Sequence, residues 1–331
     1  MPRLDLPPDQ LRTYLPDIPT PRDFDAFWAE TLAQSRASAW APQVTRIESP
    51  VSSFEIFDVS FSGYAGDPIG GWFIVPAGTD GPLPTIVEYN GYGGGRGLPH
   101  ERLAWPSCGF AYFLMDTRGQ GSAWGTGGST PDPHGAGPSA PGFMTRGIED
   151  PASYYYRRVF TDAVLAIDAV RSLDRVDADR VAVCGGSQGG GIAIAAAGLS
   201  NGLIGALPEV PFLCHFERAV GMTERDPYQE IVRYLAVHRD AVANVFSTLA
   251  YFDGANFATR ASAPALFSVA LMDPICPPST VYAAFNGWAG DAEIVEYPFN
   301  EHEGGQGAHW MRQVAWVRAQ LTRFEGGSAP R

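Results

Sequence analysis

The stretch RVAVCGGSQGGGIAIAAA, residues 180–197, decides the fold. It opens with an apolar run that ends at Cys184 and closes with small and branched residues that read as a helix from Ile192 onward. Between the two, Gly185, Gly186, Ser187, Gln188 and Gly189 fit G-x-S-x-G, and Gly190 and Gly191 follow. A serine between a strand and a helix stands on a tight turn with its hydroxyl exposed, and the helix N-terminus favours developing negative charge. Glycines tolerate the strained backbone and close packing of such a turn. The rival meaning is a phosphate-binding glycine turn, but the G-x-G-x-x-G spacing of a dinucleotide site is not met there.

Further apolar runs lie at 85–89, 110–115 and 265–271, and alternate with helical stretches predicted near 158–173, 189–200, 279–288 and 307–323. Strands buried on both faces and separated by helices predict an α/β chain with a doubly wound, mostly parallel sheet. Alternating runs at 55–61 and 71–75 predict an antiparallel pair ahead of it. Residues 1–50 read as a helical N-terminal arm of the same domain, with one amphipathic helix from Asp23 to Ser35 carrying Phe24, Phe27, Trp28 and Leu32. Residues 51–331 read as an α/β-hydrolase domain. Within it, 120–157, rich in Gly, Pro and Ser and ending in Tyr154, Tyr155 and Tyr156, reads as a long surface loop. The aromatic, helical segment 212–260 reads as a lid-like insertion before the catalytic acid.

A serine nucleophile needs a base, and the base needs an orienting acid. In an α/β-hydrolase the order is serine, acid, histidine. Of the histidines after Ser187, His215 and His238 fall inside the insertion. His302 follows the last β run, 292–299, in a loop at a strand's carboxyl end, where such folds place function. His309, at the start of the last helix, is the competitor. Glu301 and Glu303 read as solvated loop charges, with tuning of the imidazole as the alternative. For the acid, Asp273 follows the run 264–271 and is held among Pro274, Pro277 and Pro278, with room for one helix and one strand before His302. The plainer alternative for Asp273 is an Asx-turn. The oxyanion hole should pair the amide of Gln188 with one from the early loop 89–95, with Tyr92 as donor and Gly91 or Gly93 as alternatives. Tyr92 is also a candidate wall of the acyl pocket.

Composition narrows the classes further. Among 331 residues, 23 basic groups face 36 acidic ones, for a net charge of −13, which disfavours nucleic-acid and anionic-membrane partners. The sequence contains no lysine, so Schiff-base and P-loop chemistry are excluded. The four cysteines form no C-x-x-C pair, and Cys184 and Cys214 sit in apolar surroundings as buried thiols. His302 and Glu303 do not open an H-E-x-x-H motif, so no metal is expected. No stretch has the length of a membrane span and the N-terminus has no apolar core, so a soluble, cytoplasmic protein is expected.

The segments 89–97, 116–121, 185–191 and 271–280, together with the His302–Glu303 pair, resemble carbohydrate esterase family 7, the acetyl xylan esterases and cephalosporin C deacetylases. The likeness runs from the arm around Asp23 to the last helix. It implies a serine esterase acting through an acetyl-serine, with Ser187, Asp273 and His302 as triad and the Tyr92 and Gln188 amides as oxyanion hole. It implies that Arg118 and Gln120 brace the loops; the sequence alone leaves Arg118 open as an anion binder. It further implies no cofactor, a small acetylated carbohydrate or cephalosporin as substrate, and a homohexamer with sites facing an internal cavity. The chain departs from many relatives at Asn90, where a His or Ile precedes the Gly-Tyr pair. The rivals are a short-chain carboxylesterase or thioesterase, a prolyl-type peptidase and, more remotely, a non-catalytic hydrolase-like binding protein.

Overall fold

The computed structural model describes residues 5–134 and 142–327. Residues 135–141 of the expected surface loop therefore lie outside the described residues, as do residues 1–4 and 328–331. The strands are β1 (Gln43–Ile47), β2 (Phe54–Ser62), β3 (Pro68–Pro76), β4 (Leu83–Tyr89), β5 (Ala111–Met115), β6 (Val176–Gly186), β7 (Gly205–Glu209), β8 (Ala265–Ala270) and β9 (Ala292–Tyr297). They form one sheet in the order β1-β2-β3-β5-β4-β6-β7-β8-β9. Pairing is antiparallel from β1 through β3 to β5 and parallel from β5 to β9. The helices are α1 (Pro8–Leu11), α2 (Phe24–Ala37), α3 (Tyr155–Arg171), α4 (Gln188–Leu199), α5 (Phe216–Met222), α6 (Tyr228–Val237), α7 (Val242–Leu249), α8 (Gly254–Ala258), α9 (Pro278–Asn286) and α10 (Gln306–Gly327). This is the α/β-hydrolase fold that the strand–turn–helix around Ser187 predicted.

The two-residue period of a strand explains the continuous apolar runs. In β5, Ala111, Phe113 and Met115 join one core while Tyr112 and Leu114 join the other, and in β6 Val181 and Val183 part in the same way from Ala182 and Cys184. Helices α3 and α4 cover the first face, and Val314 and Val317 of α10 cover the second. Each Phe, Leu or Val so buried contributes about 1.5–3 kcal/mol. Helix α4 is buried all round from Gln188 to Ala197, which accounts for its lack of a polar face.

Three expectations need amendment. Strand β1 lies within the stretch read as a helical arm; it is an edge strand, exposed at four of its five residues, so it carries no alternating apolar signal. Strand β7 went unpredicted because its five residues include Gly205 and Pro208, which break an apolar run. Tyr154, Tyr155 and Tyr156 do not end a surface loop; all three are fully buried and open α3, and Met144, Thr145 and Ile148 ahead of them are buried too. Segment 212–260 folds into α5 to α8, and its Phe252 and Phe257 pack edge-on against Trp28 of α2. Among the described residues no helix is long and apolar enough to cross a membrane.

Candidate active site

The carboxyl ends of β4, β6, β8 and β9 lead into the loops that hold Tyr92, Ser187, Asp273 and His302. Ser187 has φ 56 and ψ −117, a conformation that costs a non-glycine residue about 1–3 kcal/mol. The surroundings hold it there: its amide donates to the Glu209 carbonyl of β7 at 2.9 Å, and its carbonyl accepts from Phe212 at 2.9 Å. Close packing explains the glycines that follow. A Cβ on Gly189 would stand 2.1 Å from the Tyr89 carbonyl oxygen, and one on Gly191 would stand 2.2 Å from that of Phe212.

His302 bridges acid and nucleophile. Its Nε2 lies 2.9 Å from Ser187 Oγ and its Nδ1 lies 2.8 Å from Asp273 Oδ2. The Asp273 side chain is 1% exposed and that of His302 25%, so the acid is sealed while the imidazole reaches solvent. The Asp273 carboxylate makes two kinds of contact at once. Oδ1 accepts the amides of Ile275 and Cys276, at 2.8 and 2.9 Å, as an Asx-type turn, while Oδ2 faces His302. His309 is elsewhere: it is fully buried, its Nδ1 lies 3.1 Å from the Tyr297 hydroxyl, and burial, aided by Arg312, pushes its pKa down to about 4. Glu303 turns to Asn300, 2.7 Å away, which holds its carboxyl below the usual range.

On the oxyanion side, the amides of Tyr92 and Gln188 donate to no protein group among the described residues. Gly93 drops out as a donor, because its amide is spent on Gln120 Oε1 at 2.7 Å. Gln120 and Gln188 pair amide to amide, with Nε2 to Oε1 distances of 2.9 and 3.1 Å. Tyr156 donates to Gln188 Oε1 at 2.8 Å, and Gln188 Nε2 reaches the Asn90 carbonyl at 3.1 Å. The loops on either side of the expected hole are thus tied through one buried amide pair. Arg118 is fully buried and grips Asp162 with two donors, at 2.6 and 2.8 Å, and Asp67 with another at 2.9 Å. That leaves it no free face for an anionic substrate.

Sequence reasoning missed two neighbours. Cys276 is fully buried and shares a cluster with Asp273 and His302 whose candidate ligand atoms lie within 4.8 Å of one another. Burial, and then Asp273, push its thiol well above the usual cysteine range. Both imidazole nitrogens are already engaged by Asp273 and Ser187. The cysteine was visible in the sequence three residues after the acid, but its lack of a C-x-x-C partner hid its place. The second neighbour is Glu230 on α6, which accepts from the Tyr92 hydroxyl at 2.7 Å. An acid on a helix gives no sequence signal for such a contact.

With this geometry in view, the family model described as acetyl xylan esterase matches residues 1–320. An acetyl esterase of Xylanibacter ruminicola, Axe7A, is 26% identical over 95% of this chain and 70% of its own. Among solved structures, the acetyl xylan esterase from Paenibacillus sp. R4 is 43% identical with a TM-score of 0.90, over 95% of this chain and 99% of that one. Acetyl xylan esterase 1 from Thermoanaerobacterium sp. JW/SL YS485 is 33% identical with a TM-score of 0.87 over the same shares.

Proposed function

The chain belongs to the acetyl xylan esterase family, a family of carboxylic ester hydrolases, and from that premise we propose that it removes acetyl groups from small acetylated carbohydrates such as xylo-oligosaccharides, and from cephalosporin C-type esters, through an acetyl-serine. The observation that carries this reading is the single imidazole poised between Asp273 and Ser187. His302 Nε2 takes the Ser187 proton as Oγ attacks the acetyl carbonyl carbon. The oxyanion accepts hydrogen bonds from the Tyr92 and Gln188 amides, and the positive end of α4 adds to that stabilisation. The carbon–oxygen bond to the alcohol then breaks, and the alcohol leaves with the proton from His302. Water, deprotonated by His302, attacks the acetyl-serine, and acetate departs as Ser187 regains its proton.

Of the aromatics that a sugar ring could stack on, Trp105 and Phe212 are buried in the core, whereas Trp124 keeps 49% of its surface exposed beside the oxyanion loop. That favours a flat, polar alcohol portion over a lipid one. The resemblance adds a homohexameric assembly to this reading, and the sequence reading adds a cytoplasmic location. The test is the initial rate on p-nitrophenyl acetate, butyrate and octanoate, with Ser187→Ala as control. A steep fall beyond acetate is expected, and a loss of about 10⁴ to 10⁶ in kcat in the variant. Rates that stay flat or rise with chain length would sink the acetyl assignment, and full activity in Ser187→Ala would sink the nucleophile.

A further inference from the structure

Tyr92 is fastened at every polar atom except its amide. Its carbonyl accepts from Trp124 Nε1 at 2.7 Å. Its hydroxyl donates to Glu230 Oε1 at 2.7 Å and accepts from the Phe143 amide at 2.6 Å. The other oxygen of Glu230 accepts from the Met144 amide at 3.0 Å. The turn at 142–144 closes around this carboxylate: Gly142 has φ +128, and a Cβ on it would stand 2.0 Å from Glu230 Oε1.

Glu230 is only 4% exposed and forms no ion pair among the described residues. Asp132 and Asp162, also buried, face arginines. A carboxylate buried without a cation is expensive unless its hydrogen bonds are good, and those of Glu230 all converge on Tyr92 and on the turn that touches it. Burial raises the Glu230 carboxyl above its usual range, and burial followed by Glu230 raises the Tyr92 hydroxyl, so the tyrosine stays protonated as donor.

We propose that Glu230 is a positioning residue for the oxyanion hole, gripping Tyr92 by its hydroxyl so that the free Tyr92 amide faces the oxygen that becomes charged in the transition state. Helix α6 and the turn at 142–144 thereby complete a site whose reacting groups all lie on other segments. The inference rests on the assignment of Tyr92 as an oxyanion donor in the preceding subsection.

Tyr92→Phe removes a single oxygen, Glu230→Gln replaces one acceptor with a donor, and the double variant closes the cycle. The readouts are kcat and KM for p-nitrophenyl acetate, thermal unfolding, and affinity for a trifluoromethyl ketone, which adds to the serine as a tetrahedral oxyanion. Because a displaced donor loses part of what a deleted one does, each single variant should show kcat about tenfold lower with KM within about twofold. Ketone affinity should fall by the same factor, and the double variant should be no worse than the worse single one. Unchanged kcat and ketone affinity with only a lower unfolding temperature would overturn the proposal, as would strictly additive losses. Ser187→Ala separates the two levels. An inert Ser187→Ala beside a fully active Glu230→Gln overturns only this inference, whereas an active Ser187→Ala overturns the reading beneath it.

Discussion

The two halves of the site are built in different ways. On one side Ser187, His302 and Asp273 meet through two hydrogen bonds, each residue on a loop that leaves the end of a strand. On the other side, two amides that donate to no protein group among the described residues are flanked by Gln120, the Gln188 side chain, Tyr156 and Glu230, drawn from segments far apart in the chain. The first half is a small chemical device on a rigid frame. The second is part of the frame itself. Substitutions in the triad should therefore remove chemistry and spare the fold, those at Glu230 should lower kcat through the Tyr92 amide, and loss of the buried Arg118 pair should cost stability instead.

Asp273→Asn is the severest test of the first half. The asparagine carbonyl can still accept the turn amides of Ile275 and Cys276, but its NH2 group opposes His302 Nδ1–H and favours the wrong tautomer. We expect kcat about 10⁴-fold lower with an unchanged unfolding temperature. A large fall in that temperature would break the contrast, since it would make the acid a structural element first.

Arg118→Met tests the frame. It strips the partner from Asp162, which is fully buried, and breaking such a pair costs about 3–5 kcal/mol. For a chain of this size the unfolding midpoint should drop by about 10 °C, with kcat per folded molecule retained. Loss of kcat without loss of stability would show that Arg118 serves the reaction and not the frame.

The smallest effect is expected at His309, near the reacting loop but outside the triad. Burial, aided by Arg312, pushes its pKa down to about 4, against an ordinary value of 6.5. As pH falls the unfolded chain takes up this proton first. The contribution of His309 is therefore complete above about pH 6.5 and is lost on the way down to about pH 4. Glu209, pushed up to about 7 by burial, works in the opposite sense, so the comparison must be made between variant and parent. His309→Gln should lessen the fall in unfolding temperature between pH 7 and pH 4.5 by about a few degrees. An identical fall in both proteins would remove His309 from the account.

What the sequence revealed follows the same division. Ser187, Asp273 and His302 were readable because each sits just after an apolar run, in short segments whose glycines and prolines fix the backbone. The doubly wound sheet was readable for the same reason, since strands buried on both faces leave uninterrupted apolar runs. Strand β1 was hidden by its exposure and β7 by Pro208. Glu230 and Cys276 were hidden because their importance comes only from what folding places beside them. Tyr154 to Tyr156 were misread as the end of a surface loop because nothing nearby in sequence shows that two of these hydroxyls meet buried glutamines.

One indole makes this site optically accessible. The other seven tryptophans are buried or half-buried, and only Trp124 stands well exposed, with its ring N–H bonded to the carbonyl of the residue expected to donate to the oxyanion. Emission quenched by a dissolved collider such as iodide should therefore come mainly from Trp124. The protein carries its own fluorescent gauge of the oxyanion loop, readable during turnover without any attached dye.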